Sequence, residues 1–192
     1  MTGQELPAGS GNSDNELAVS ARNGNERAFR EIISRYRPKI LSICLKMLKN
    51  STEATEAAQD TFVKVYFHLR DYNPERSFSA WAASIAINEC RDRLRKRRRY
   101  SQTFRELTER DVDLKQAQAD DDYESKKKVE LVENAIEKLP EKLKEVLVLK
   151  AYSEYSYDEI AEILKIKTGT VMSRLFRARE KLTEMLEKDN LF

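Results

Sequence analysis

The sequence predicts an all-α protein built from two small helical domains, which a flexible acidic linker joins, with a helix-turn-helix in the C-terminal domain. Apolar residues recur at helical spacing through most of the 192-residue chain, and only 5 Gly and 4 Pro interrupt them. No stretch alternates as a strand does. Charged residues make up 35% of the chain, and no apolar run approaches the ~18 residues of a membrane span. We therefore expect a cytoplasmic protein without membrane insertion.

Composition divides the chain into four parts. Residues 1–13 are glycine-rich and polar, without the apolar core of a secretory signal, and predict a disordered tail. Residues 14–99 carry four helical patterns, and residues 128–188 carry four more. Residues 100–127 lose the periodicity and gain acidic residues, which predicts a linker between the two domains.

Capping and breaking signals set the order of the N-terminal helices. The first helix ends at Asn23-Gly24, which is a C-cap signal, and Pro38 predicts a bend in the long second helix. Asn50 caps the third helix, and the fourth runs over residues 77–99 without a breaker.

The C-terminal domain predicts a pair of helices joined by a tight turn. Ser156 followed by Glu159 is a capping-box pattern, so a helix should run over residues 157–164. Thr168 is placed to cap the helix after the turn, and Gly169 suggests a close approach of the two helices. Pro140 is expected at the first position of the preceding helix, over 140–152.

The second helix of this pair has two different faces. At 100° per residue, Val171, Leu175, Ala178 and Leu182 form one apolar stripe. Phe176 lies on the opposite side, where an aromatic ring can contact a thymine methyl and the neighbouring polar side chains can reach base edges or phosphates. The pattern favours a DNA-recognition helix, and the alternative is an ordinary helical hairpin with a solvated basic face.

Charges are distributed unevenly along the chain. Seven cations crowd residues 91–99 beside a single acid, and a second basic stretch spans residues 165–181. Residues 106–124 carry eight acids against two cations. Two basic modules on either side of an acidic connector predict two contacts with one polyanion.

Two features of the N-terminal domain leave alternatives open. Apolar and aromatic residues over 59–67 occupy more than one helical face, so they either belong to the core or dock a partner helix. Trp81, Ile85 and Asn88 share one side of the fourth helix. The Asn88 amide either makes a structural hydrogen bond or reads the edge of an unstacked base.

The residues argue against catalysis and against a metal or cofactor. Cys44 and Cys90 lie in apolar stretches and are expected to be core residues, and the chain has no Cys-x-x-Cys spacing for zinc. A nuclease or recombinase would need clustered carboxylates or a nucleophile beside a base. The only tight acid cluster is Asp120 to Asp122, in the linker, and His68 lacks an evident partner.

Motifs in both halves resemble extracytoplasmic-function sigma factors, a group of the sigma-70 family. The C-terminal motifs are Leu139-Pro140, residues 156–161 (SYDEIA) and residues 169–179 (GTVMSRLFRAR). The N-terminal motifs are residues 21–24 (ARNG), Ala28-Phe29, Arg35-Tyr36, residues 59–62 (QDTF) and residues 80–88 (AWAASIAIN). Together they cover about residues 15–98 and 130–186, in the order found in that family.

The resemblance implies a promoter-specificity factor that binds core RNA polymerase through the clamp of the largest subunit and the flap of the second. The residues implied in clamp binding are Glu56, Gln59, Asp60, Phe62, Val63 and Tyr66. Those implied in binding the melted minus-ten strand are Tyr72, Asn73, Trp81, Asn88, Arg91 and Arg95. Those implied in reading the minus-thirty-five duplex are Thr168, Gly169, Thr170, Met172, Ser173, Phe176, Arg177 and Arg179.

The same resemblance implies an anti-sigma factor as a partner and a monomer outside complexes. The sequence departs from the family pattern in having fewer acids over residues 52–56, and in having Met172 where the family often has Arg or Lys. The rival interpretation is a free-standing helix-turn-helix regulator, which would explain residues 139–182 but leave Trp81, Asn88 and the acidic connector without a role.

Overall fold

The computed structural model describes residues 13–105 and 123–188, and every regular element in these two segments is helical. In chain order they are α1 (Asp14–Arg22), α2 (Glu26–Leu48), α3 (Ser51–His68), a short 3-10 helix (Leu69–Asp71), α4 (Phe78–Arg105), α5 (Tyr123–Lys138), α6 (Glu141–Ala151), α7 (Tyr157–Leu164) and α8 (Thr168–Lys188). The all-α prediction is confirmed.

Polar side chains begin the N-terminal helices where the sequence predicts them. Asn50 accepts a hydrogen bond from the Glu53 backbone at 2.8 Å and so caps α3. Gly24, after α1, has a φ of 93°, which an L side chain rarely adopts. Pro38 lies inside α2, which continues through it to Leu48. Local signals therefore placed these boundaries correctly.

Three predicted boundaries shift in the structure. Helix α4 continues to Arg105 and α5 begins at Tyr123, so both helices extend into the predicted linker over 100–127. Pro140 is the N-cap of α6 rather than its first helical residue. Of the predicted tail over 1–13, Ser13 caps α1, and residues 1–12 lie outside the described residues, as do the acids Asp120 to Asp122.

The two halves of the chain share one apolar core. Ile32, Ile40 and Ile87 are fully buried in the N-terminal half, and the same cluster continues into Val146 and Leu149 of α6. Helix α2 packs on α6, and α4 packs on α7. The sequence predicted two tethered bodies and did not predict this shared core.

Tyr155 anchors the segment before α7 to the beginning of α4. Its side chain is buried, and its hydroxyl lies 3.1 Å from the Ser79 carbonyl oxygen and 2.8 Å from Ser79 Oγ. The Lys39 ammonium lies 4.0 Å from the centre of its ring. Burial raises the pKa of Tyr155 to about 12, so the hydroxyl stays protonated and can donate even above pH 10.

Cys44 and Cys90 are both buried, which confirms that they are core residues. The hydrogen bond with the Cys44 thiol, together with burial, raises the pKa of the Cys90 thiol. Both thiols therefore behave as small apolar groups between α2 and α4.

Two serines close together in sequence should respond in opposite ways to loss of their hydroxyl. Ser156 Oγ accepts from the Glu159 backbone at 3.2 Å, and Ser156→Ala should lower the free energy of unfolding by about 1 kcal/mol. Ser153 Oγ is buried without a hydrogen-bond partner among the described residues, so Ser153→Ala should leave that free energy unchanged or raise it. Urea unfolding followed by circular dichroism measures both. Equal destabilisation by the two substitutions would contradict the assignment of the cap.

Candidate nucleic-acid interface

Helices α7 and α8 form a tight helix-turn-helix. The reciprocal capping box between Ser156 and Glu159 begins α7, as predicted. Lys165 ends it in the left-handed conformation with a φ of 55°, and the Ile166 backbone N–H donates to the Ala161 carbonyl at 3.0 Å. The Thr168 hydroxyl donates to Asp158 Oδ1 at 2.9 Å, so the first residue of α8 is tied directly to α7.

Two local predictions at the start of α8 are wrong. Thr168 is the first helical residue, and its hydroxyl bonds Asp158 instead of capping α8. A Cβ placed on Gly169 would meet no atom within 4 Å, so Gly169 marks no close approach of the two helices. The exposed backbone at Gly169 is instead open to solvent.

The predicted division of α8 into two faces is confirmed. Val171, Leu175 and Ala178 are buried, whereas Phe176 keeps 63% of its surface exposed and Met172 keeps 50%. Of the other predicted DNA contacts, Thr168 and Thr170 are partly exposed, and Gly169, Ser173, Arg177 and Arg179 are exposed. One side of the helix therefore offers an aromatic ring, hydroxyls and two guanidinium groups.

A second polar surface lies where the loop after α3 meets α4. A cleft of about 470 Å³ is lined by Asn73, Trp81 and Asn88. Trp81 is partly buried, while Asn73 and Asn88 are exposed. Asn88 Oδ1 accepts from Arg91 Nη1 at 3.1 Å. The exposed Asn88 amide group also carries two N–H donors, which it can offer to a ligand in the cleft.

Tyr72 lines the same cleft, but only 2% of its side chain is exposed. Its ring packs 5.1 Å from the Trp81 ring and 5.5 Å from the Phe78 ring, between centroids. Its hydroxyl lies 2.6 Å from the Arg76 carbonyl oxygen and 2.8 Å from Asn15 Oδ1. These contacts hold the loop in shape and leave little of the Tyr72 ring open for a base to stack on.

The cations of α4 are engaged by carboxylates to different degrees. Arg91 makes a two-pronged contact with Glu145, at 2.5 Å and 2.7 Å, and this hydrogen bonding raises the pKa of Arg91. Arg95 is exposed and contacts Asp92 at 2.7 Å. Glu145 belongs to α6, and no local sequence pattern predicted its contact with α4.

The exposed end of α3 carries an apolar patch, defined here as Val63, Tyr66 and Phe67, which are 53%, 58% and 72% exposed. Phe62, predicted on this surface, is buried at 8% because it faces α2 and α4 in the core. Phe67 was not among the predicted contacts. An aromatic residue outside the apolar stripe of α3 is the sequence pattern that could have predicted its exposure. Gln59 is exposed nearby.

Arg93 ties the acids of α3 to α4. It contacts Asp60 at 2.5 Å, Glu56 at 3.2 Å and Glu89 at 2.8 Å. Burial by itself would lower the pKa of Arg93, but these hydrogen bonds raise it overall. Burial would likewise raise the pKa of Glu89, and hydrogen bonds from Lys64 and Arg93 lower it overall. Glu56 and Asp60 are therefore exposed, but each already forms an ion pair with Arg93.

The described segments contain neither a metal-type cluster nor a membrane-type helix. Within residues 13–105 and 123–188, no three His, Cys, Asp or Glu side chains are grouped as a bound metal ion would need. No helix there is both long and apolar enough to cross a bilayer. The described surfaces are suited to binding a nucleic acid. One is the aromatic and basic face of α8, and the other is the polar cleft with cations beside it.

Comparison with known proteins matches both halves of the chain. The models of Sigma-70 region 2 and of Sigma-70, region 4 match residues 32–100 and 130–182. The chain is 36% identical to the ECF RNA polymerase sigma factor SigW of Bacillus subtilis over 172 residues, which is 86% of this chain and 92% of SigW.

Two solved structures share the fold. CnrH in complex with the cytosolic domain of CnrY has a TM-score of 0.72 at 28% identity, covering 92% of this chain and 98% of CnrH. The sigma factor RpoE in complex with the anti-sigma factor NepR, from Bartonella quintana, has a TM-score of 0.66 at 25% identity, covering 83% of this chain and 96% of RpoE.

The buried hydroxyl of Tyr72 predicts a specific loss of stability at high pH. Burial raises the pKa of Tyr72 to about 12, above the value near 10 of an unfolded tyrosine. The stabilisation that comes from keeping this hydroxyl protonated is fully present below about pH 10 and is lost as the pH rises through 12. When the pH rises from about 9 to about 11.5, the free energy of unfolding should fall in both proteins. The fall should be smaller in Tyr72→Phe than in the wild type, by roughly 1 to 2 kcal/mol, because phenylalanine has no hydroxyl to ionise. The matched control is Tyr66→Phe at an exposed site, and an identical pH profile for all three proteins would refute the assignment.

Proposed function

The chain belongs to the extracytoplasmic-function sigma factors of the sigma-70 family, and on that premise we propose which of its surfaces recruit core RNA polymerase and recognise a promoter. One observation carries the proposal. A single chain presents an exposed aromatic and basic face on α8 and a separate polar cleft beside α4. A factor that reads duplex DNA at one place and an opened strand at another needs two such surfaces.

The exposed face of α8 reads the minus-thirty-five duplex in this proposal. The N-terminal residues of a recognition helix enter the major groove, and Thr170, Ser173 and Phe176 project from that part of α8. Phe176 offers an apolar surface suited to a thymine methyl, and Arg177 can contact a base edge or a phosphate. Met172 adds apolar contact but no hydrogen bond, so we expect fewer polar base contacts at its position.

The cleft beside α4 binds the melted minus-ten strand. Asn73 and Asn88 supply amide groups that can pair with the edge of an unstacked base, and Trp81 supplies part of the wall. Arg91 and Arg95 lie one and two turns further along the helix, where they can contact phosphates. Flipping a base costs a few kcal/mol of stacking, which contacts of this kind offset.

The apolar patch of α3 docks on the clamp of core polymerase. Exposed aromatic residues of this kind are the usual anchors of protein interfaces. The Tyr66 ring is held 5.1 Å from the Phe29 ring, between centroids, so it is ordered before the partner arrives. Glu56, Gln59 and Asp60 form the polar rim beside it.

An anti-sigma factor is the proposed regulatory partner. The structure of RpoE was determined with the anti-sigma factor NepR, and this chain resembles that sigma factor over most of its length. Release from such a partner would deliver the chain to polymerase in the cytoplasm. We likewise propose that the chain binds and directs polymerase without catalysing a reaction of its own.

Run-off transcription with purified core polymerase on genomic DNA fragments tests the proposal. Phe176→Ala and Asn88→Ala should each lower the yield of specific transcript about tenfold or more, because each removes one base-recognition contact. Thr183→Ala, at an exposed position further along α8, is the matched control and should keep full yield.

Two outcomes would contradict the proposal. If Phe176→Ala and Asn88→Ala both left the transcript yield unchanged, neither residue would recognise a base, and the proposed roles of both would be wrong. Tight sequence-specific DNA binding without core polymerase, with no transcript in its presence, would instead favour a free-standing regulator.

A further inference from the structure

Four glutamates of the C-terminal half face four cations of the N-terminal half. The glutamate row consists of Glu133 and Glu137 on α5 and Glu141 and Glu145 on α6, each four residues after the last. The cation row consists of Lys46, Lys49, Arg98 and Arg91, in the order of their glutamate partners. Since every fourth residue shares a helical face, Glu133 and Glu137 lie on one face of α5, and Glu141 and Glu145 lie on one face of α6. The four ion pairs show that both faces meet the cation row.

The contacts between the two rows are direct. Lys49 lies 3.0 Å from Glu137, and Arg98 lies 3.1 Å from Glu141. Lys46 pairs with Glu133, and its ammonium also lies 4.5 Å from the centre of the Tyr152 ring. The pairs at the α5 end are partly exposed and therefore sensitive to salt.

The pairing becomes buried toward Glu145. This carboxylate is 1% exposed, and Arg91 holds both of its oxygens. Next to it, the buried Lys144 ammonium donates to the Met47 carbonyl at 3.0 Å, and desolvation lowers the pKa of Lys144. A carboxylate and an ammonium buried at an interface between two modules make that interface specific, because neither can be left dry and unpaired.

The same interface covers part of the proposed strand-binding surface. Arg91, assigned above to the opened strand, is occupied by Glu145. Glu162 of α7 and Lys165, which follows that helix, line the cleft together with Trp81 and Asn88. By contrast, the Phe176 face of α8 stays open.

We propose that the glutamate row is an internal substitute for a nucleic-acid backbone, which holds the free chain closed and masks its surface for single-stranded DNA. The masking part of this inference rests on the proposed role of α4. In the closed chain α8 can still touch a duplex, whereas on α4 Asn88 and Arg95 stay exposed but Arg91 is held by Glu145, so an opened strand meets only part of its proposed contacts there. Opening exchanges the glutamate row for phosphates, so the two occupants compete for the same cations.

A charge-swap experiment on the full-length chain tests the inference. The opening variant carries Glu133→Lys and Glu137→Lys, which place like charges opposite Lys46 and Lys49. The rescue variant adds Lys46→Glu and Lys49→Glu, which restore both pairs and the wild-type net charge. The matched control carries Glu184→Lys and Glu187→Lys, which add the same charge as the opening variant at exposed sites on α8.

Two readouts separate the inference from the proposed function. Small-angle X-ray scattering should give a radius of gyration near the roughly 16 Å of a compact chain of this length for wild type, rescue and control, and a value several ångström larger for the opening variant. Fluorescence anisotropy with a labelled mixed-sequence single strand should show at least about tenfold tighter binding for the opening variant than for the control.

The outcomes are distinct. An opening variant as compact as the wild type, or a rescue variant that stays expanded, would overturn the claim that the glutamate row holds the chain closed, whatever the chain does with polymerase. Expansion without any gain in strand binding over the control would overturn the masking. A failure of polymerase-dependent transcription would count against the proposed function and leave the scattering result standing.

Discussion

The contact between Arg91 and Glu145 is the interaction on which the arrangement of the two modules depends. Glu145 is buried at the interface, and both of its oxygens are bonded to one guanidinium. Breaking such a pair while it stays dry leaves an uncompensated charge, at a cost of about 3 to 5 kcal/mol. The modules should therefore either stay together or separate far enough to hydrate Glu145, and partial opening is unfavourable. The interface behaves as a two-state element.

That constraint connects the fold to the proposed activity. The apolar contacts between α2 and α6 and between α4 and α7 favour the closed form without choosing a partner. The glutamate row adds charge complementarity, and charge is what a competing nucleic acid or a polymerase surface can match. A ligand shifts such an equilibrium only by its difference in affinity for the two forms, so whatever opens the chain must bind the open form better.

Much of the fold followed from local sequence signals. Ser156, Asn50 and Gly24 each marked a helix boundary through one hydrogen bond or one dihedral angle, and the structure has all three. The outward position of Phe176 followed from helical periodicity alone. These features depend on a few neighbouring residues, which is why they could be predicted.

The remainder depends on contacts between distant residues. Arg91 and Glu145 are 54 residues apart, and a charged residue in an amphipathic helix is normally expected at the surface. Tyr72 was predicted to contact a base, but a hydrogen bond to Asn15, which is 57 residues away, and packing on Phe78 leave its side chain only 2% exposed. Phe62 and Val63 are neighbours, and only the packing of α3 decides that the first is buried and the second exposed.

Zero-length cross-linking with a carbodiimide, read by mass spectrometry, tests the closed arrangement most directly. The Lys49 ammonium and the Glu137 carboxylate, 3.0 Å apart, should become joined by an amide bond in the free chain. The cross-linked peptide should disappear when the chain is bound to core polymerase on a promoter. A free chain that never yields this peptide, or a transcribing complex that yields it undiminished, would contradict the account.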